Sequence, residues 1–106
     1  MLGLFGSVSL KEVDEFARTL ANDLARQYPP APDQSGGPRL AEKGLTTLLE
    51  AICNRAVAFK NEHKLGVHKK ARLGNTFRQE LETLGYSTTF IETATEGLVA
   101  FLGRRQ

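Results

Sequence analysis

The residue types that most often bind metals are scarce in this sequence and do not stand at ligand spacing. The two histidines, His63 and His68, are five positions apart, on either side of Gly66. Zinc sites need three or four cysteine, histidine or carboxylate ligands, usually with a fixed local pair. We therefore predict no metal and no other cofactor, and we interpret His63 as a packed or partly exposed histidine at the end of a helix.

Candidate nucleophiles are equally few. The single cysteine, Cys53, flanks the apolar stripe of a predicted helix, where nothing would activate its thiol, and we interpret it as a small buried hydrophobe. The serines precede predicted helices, where capping explains them. The sequence contains no G-x-S-x-G, no H-E-x-x-H and no phosphate-binding glycine loop. These observations predict a protein that is not an enzyme.

Positive charge is concentrated in one segment. Residues 60–78, KNEHKLGVHKKARLGNTFR, contain six basic residues, one acidic residue and both histidines, whereas residues 1–50 contain five basic and seven acidic residues. The net charge of the whole chain is only +2, so any attraction to an anion must come from this local cluster. A solvated polar face is the alternative interpretation of such a run.

The position of these cations relative to the predicted helix ends is unusual. Lys60 and Lys64 end one helix, where free carbonyls favour positive charge. His68, Lys69 and Lys70 stand in the first turn of the next helix, where exposed cations cost roughly 0.3–1 kcal/mol each. Free amides and ammonium groups can converge on a phosphate or carboxylate. We therefore predict an anion- or partner-binding junction formed by Lys60, Lys64, His68, Lys69, Lys70 and Arg72, with His68, Lys69 and Arg72 the most exposed.

The same stretch partly fits a helix-turn-helix, which places a glycine between two apolar residues in its turn. Aligning Gly66 with that glycine puts Glu62 and Arg72 at positions that are normally small or buried, and burying two charges is costly. We therefore do not expect sequence-specific DNA binding. Weak, sequence-independent binding of nucleic acid by residues 60–78 stays open as an alternative function.

Four amphipathic helices are predicted, at about 10–28, 39–65, 67–84 and 88–102, from apolar residues spaced three and four apart. Ser9 and Glu12 form a capping box for the first helix, and Ser87 begins the last. Gly66 suits a left-handed helix cap, as does Gly85, where Tyr86 could fold back in a Schellman arrangement. Around Gly74 the third helix could break, because residues 76 and 79 could form a second capping box.

The second predicted helix is apolar on two sides. Its weaker stripe consists of Ala51, Ala58 and Leu65, opposite the main one. Such a helix is usually central in a bundle, or else it contacts another subunit.

The predicted architecture is all-α, a compact irregular four-helix bundle in a single domain, residues 1–106, because no segment has the alternating pattern of a strand. Residues 1–8 form an apolar N-terminal tail and residues 29–38 a Pro/Gly-rich loop. No apolar run is long enough to span a bilayer, and one cysteine fits a reducing compartment, so we expect a cytoplasmic protein.

Taken together, these features predict a non-catalytic helical protein that binds a protein partner or a second copy of itself. We expect no membrane and no small-molecule substrate among its partners. Weak binding of nucleic acid is the alternative.

Overall fold

Four α-helices account for most of the residues that the computed structural model describes, which are 8–30 and 42–103. They are α1 (Leu10–Gln27), α2 (Glu42–His63), α3 (Val67–Leu84) and α4 (Thr88–Leu102), and no strand occurs in the described ranges. The prediction of an all-α four-helix bundle is confirmed. Residues 1–7 of the predicted tail, residues 31–38 of the predicted loop and positions 39–41 of the second predicted helix lie outside the described residues.

Contacts between side chains fix the relative directions of the helices. Asp14 contacts Arg72 and Asn22 contacts Glu80, so α1 and α3 run parallel. The ring of Phe16 stacks on that of Phe59 at 4.0 Å between centroids, and Arg55 donates to Asp23, so α2 runs antiparallel to α1. A tight turn at residues 85–87 sends α4 back along α3. The starts of α1 and α3 and the ends of α2 and α4 therefore lie at one end of the bundle.

The core is filled by the apolar faces that the helical spacing predicts. Leu20 and Leu24 of α1, Phe77 and Leu81 of α3, and Leu98 of α4 are almost completely buried. Each buried side chain of this size stabilises the fold by about 1.5–3 kcal/mol. None of the described helices is long and apolar enough to cross a lipid bilayer.

Three of the predicted helix ends are confirmed. The Ser9 amide donates to the Glu12 carboxylate at 3.0 Å, and the Glu12 amide donates to the Ser9 hydroxyl at 3.1 Å. Ser87 likewise accepts from the amide of Phe90. At the end of α3, Gly85 is left-handed and the Tyr86 amide donates to the carbonyl of Leu81, which completes the Schellman arrangement. Local sequence chemistry therefore sets these three helix ends.

The end of α2 differs from the prediction. Gly66 is extended (φ −82°, ψ −178°) and precedes α3, so its expected left-handed conformation is wrong. The left-handed residue is Lys64 (φ 51°), and α2 ends at His63, two residues earlier than predicted. The Leu65 amide donates to the Lys60 carbonyl at 3.0 Å, and Leu65 is buried. The fold buries Leu65 by turning the chain sharply at Lys64.

The predicted break near Gly74 does not occur, because α3 is continuous from Val67 to Leu84. A Cβ atom at Gly74 would lie only 3.0 Å from a methyl carbon of Val99, so the missing side chain lets α3 and α4 approach closely. Thr76 caps no second helix, since its hydroxyl donates to Asp14. Packing against the neighbouring helices outweighs the low helix propensity of a single glycine.

The second predicted helix is not central in the bundle. Instead, α3 packs extensively against both α1 and α4, while α2 packs mainly on α4 and only lightly on α1. Ala51 and Ala58 of its weaker stripe are exposed, whereas Leu65 is buried beyond the end of the helix. Val8, at the end of the predicted tail, is also buried in the core.

Candidate functional site

The two sides of the turn between α2 and α3 carry four basic side chains, Lys64, His68, Lys69 and Lys70, which we call the basic junction. Lys64 and His68 are exposed, and Lys69 and Lys70 are partly exposed. Within residues 8–30 and 42–103, none of the four forms an ion pair or a side-chain hydrogen bond. Their polar groups can therefore meet an external anion without first breaking a contact to a described residue.

The start of α3 adds partial positive charge to the basic junction. Gly66 at the N-cap has no side chain to accept from the first-turn amides, and this turn contains no acidic residue. Serine, threonine, aspartate or asparagine at this position would stabilise the helix start by roughly a few tenths of a kcal/mol relative to glycine. Amides without a side-chain cap and nearby lysines together form a surface that favours carboxylate or phosphate groups.

The conformation of Lys64 is itself unfavourable. A left-handed backbone costs a residue with a side chain roughly 1–2 kcal/mol, and glycine avoids most of this cost. Gly85 ends α3 in a comparable left-handed turn, so the fold uses glycine in one turn and lysine in the other. Strained residues often cluster at functional sites. The lysine is thus present at a position where glycine would serve stability better.

Lys60, which we predicted as part of the site, lies inside the protein. It is 8% exposed, and its ammonium group donates to the carbonyl oxygen of Leu102 at 3.2 Å. A cation at this point satisfies a free carbonyl at the end of α4 and opposes the negative pole of that helix. The structure therefore gives Lys60 a role in holding α2 to α4.

Arg72 is engaged within the chain as well. Its guanidinium Nε and Nη2 donate to the two carboxylate oxygens of Asp14 at 2.9 and 2.8 Å, and the Thr76 hydroxyl donates to the same carboxylate at 2.8 Å. These hydrogen bonds from Arg72 are the main cause that holds the pKa of Asp14 at about 2, below its ordinary value of 3.8. Arg72 therefore links α3 to α1, and its charge is neutralised.

The remaining candidates, His63 and Cys53, are both packed against neighbouring residues. The ring of His63, a partly buried histidine, lies tilted against that of Phe59 with 4.5 Å between ring centroids, and Cys53 is buried, as predicted. In the part of the chain that the structure describes, no three histidine, cysteine, aspartate or glutamate residues gather to hold a metal ion.

Next to the basic junction lies an apolar groove between the start of α3 and the end of α4. We call it the α3–α4 groove. Its volume is about 230 Å³, and it is lined by Val67, Lys70, Ala71, Val99, Leu102 and Gly103. Lys70 belongs to both features, so the groove and the cations form one continuous surface.

Sequence reasoning missed both the groove and the partner of Arg72. Asp14 shares a helical face with Ala17 and Ala21, and a carboxylate on an apolar face needs a cation as its partner. The sequence alone therefore indicates that Asp14 pairs with a basic residue. The groove had a weaker signal, because Val67 and Val99 stand beside the main stripes of their helices and become neighbours only when α4 folds back.

No protein-family model, curated protein or solved structure matches this chain. Any account of its function therefore depends on its own residues.

Proposed function

We propose that this chain is a non-catalytic helical interaction protein whose basic junction binds an anionic group of a protein partner in the cytoplasm. The observation that carries the proposal is the set of cations without a partner among the described residues, Lys64, Lys69 and Lys70, at a helix start that lacks a side-chain cap. Lys60 and Arg72 of the predicted set are assigned to the fold. Cys53 forms no disulfide bond, which is compatible with a reducing compartment.

Two features favour a binding role over a merely solvated face. Lys69 and Lys70 stand next to a positive helix pole, and Lys64 occupies a left-handed position. Each of the three lysines therefore lowers the stability of the fold relative to an acidic residue in the first turn or a glycine at the left-handed position. Sequences tend to break such local rules at functional sites. A carboxylate or phosphate on a partner would relieve the repulsion among these charges.

Nucleic acid is the weaker candidate. Internal contacts of Lys60 and Arg72 reduce the positive charge that residues 60–78 can offer to phosphates. The one phenylalanine, tyrosine or tryptophan of that segment, Phe77, is 1% exposed, so it offers no surface on which a base could stack.

The test compares a glutamate-rich peptide with a single-stranded oligonucleotide, each titrated into the full chain. We expect the peptide to bind at low salt and Lys64→Gln/Lys69→Gln to weaken this binding about tenfold or more. The matched control, Arg18→Gln/Arg78→Gln, removes the same number of charges from exposed positions outside the basic junction.

Equal weakening by the control pair would indicate nonspecific attraction and would refute the proposal. Failure of the glutamate-rich peptide to bind would also refute it. Tighter binding of the oligonucleotide, with a steep loss between about 50 and 200 mM salt, would support the nucleic-acid alternative instead.

A further inference from the structure

Two of the three exposed large apolar side chains among the described residues lie at one place. Val67 is 79% exposed at the start of α3, Val99 is 49% exposed near the end of α4, and both line the α3–α4 groove. Leu10 is 41% exposed on α1 and does not line it. A contiguous apolar patch rimmed by polar residues marks an interaction site more often than a single exposed side chain does.

The groove has the size of a single anchoring side chain. A cavity of roughly 150 Å³ accommodates benzene, and the α3–α4 groove measures about 230 Å³. One leucine or phenylalanine side chain would therefore fill it. Helix-in-groove recognition uses such anchors, spaced three or four residues apart on an amphipathic helix.

Charge decides which occupant the groove favours. Lys70 lines it, and His68 and Lys69 belong to the same helical turn. A second copy bound face to face would bring like charges together, because a two-fold interface uses the same patch on both subunits. The N-terminal residues 1–7, MLGLFGS, contain no acidic side chain that could face these cations. A segment of another protein that carries both apolar and acidic side chains would fill the apolar groove and pair with the lysines beside it.

We propose that the α3–α4 groove takes an apolar anchor from an acidic amphipathic helix of another protein, whose carboxylates lie against the basic junction. This inference rests on the proposed function and names the class of partner. The anchor contributes affinity by burying apolar surface, and the charges contribute orientation and association rate.

The probe is a labelled helical peptide with leucines at i, i+3, i+4 and i+7 and with glutamates and alanines elsewhere, arranged so that no two glutamates stand three or four residues apart. A second peptide replaces the leucines with glutamines. Each is titrated into the full chain by fluorescence anisotropy. We expect the leucine peptide to bind at least about tenfold more tightly than the glutamine peptide.

The variant Val67→Ser/Val99→Ser should weaken binding of the leucine peptide about tenfold or more. Val99 also packs against Gly74, whereas Val67 is 79% exposed. Val67→Ser alone is therefore measured as well, and it should weaken binding while circular dichroism shows unchanged helix content. The matched control, Leu10→Ser, removes an exposed apolar side chain outside the groove and should leave the affinity unchanged. Lys64→Gln/Lys69→Gln should also weaken binding and reduce its salt dependence.

Different results would overturn the groove inference and the proposed function. If both peptides bind equally and only the lysine substitutions weaken them, the groove inference is overturned and the proposed function stands. If the valine substitutions weaken binding but the lysine substitutions do not, the acidic partner and the proposed function are both overturned. No binding of the leucine peptide up to about 1 mM, or self-association abolished by Val67→Ser/Val99→Ser, overturns the groove inference.

Discussion

The charges between the helices and the charges of the basic junction have opposite surroundings. Asp14 is 9% exposed and accepts hydrogen bonds from Arg72 and Thr76, and Asp23 pairs with Arg55. Lys64 and Lys69 are exposed or partly exposed and pair with no described residue. The first group joins α1 to α3 and α2, whereas the second contributes nothing visible to the fold. A cluster of cations in a sequence can therefore contain residues with unrelated roles.

The largest effect should follow from removing the central carboxylate of the first group. Asp14→Ala deprives Arg72 and the buried Thr76 hydroxyl of their acceptor. We expect the free energy of unfolding to fall by about 2–3 kcal/mol, measured by urea denaturation. Glu15→Ala is the matched control, since Glu15 is exposed on the same helix, and its effect should stay below about 0.5 kcal/mol. Equal losses in the two variants would contradict the assigned role of Asp14.

Acid should weaken the same contact. The pKa of Asp14 is lowered to about 2 from 3.8, chiefly by its hydrogen bonds from Arg72. The contribution is therefore complete above pH 3.8 and is lost as the pH falls towards 2. After allowance for solvent screening, it amounts to about 1–2 kcal/mol. Urea denaturation at several pH values should show a shallower acid loss in Asp14→Asn than in the original chain, and identical slopes would contradict the prediction.

The two left-handed helix ends, at Lys64 and Gly85, should give smaller changes in stability. Lys64→Gly should raise the free energy of unfolding by about 1 kcal/mol, because glycine adopts this conformation without steric cost. Gly85→Ala, at the corresponding position after α3, should lower it by about 1–2 kcal/mol. Thermal and urea denaturation measure both changes. A loss of stability in Lys64→Gly would show that the lysine side chain supports the turn.

Local features of this fold could be predicted from the sequence, and long-range features could not. The capping box at Ser9 and the turn at Gly85 depend on neighbouring residues, so pattern and spacing suffice. The role of Arg72 depends on Asp14, 58 positions away. From the sequence, Gly74 predicts a weak point in α3, because its close contact with Val99 exists only in the folded bundle.

The candidate site also has features that the sequence predicts and features that it does not. The excess of cations at a helix start is visible in the sequence, and Lys64, His68, Lys69 and Lys70 stay available in the described structure. Which cations the fold itself uses depends on contacts between helices. The burial of Lys60 against Leu102 and the exposed α3–α4 groove appear only when the ends of α2 and α4 meet the start of α3.

The central claim is that the basic junction does not stabilise the fold. Its most direct test is the free energy of unfolding of Lys64→Gly/Lys69→Glu relative to the original chain, measured in urea at low salt. Glycine removes the left-handed cost, and glutamate in the first turn of α3 favours its positive pole. We predict a gain of about 1–2 kcal/mol. A loss of about 1 kcal/mol or more would mean that these cations serve the structure and would contradict the account.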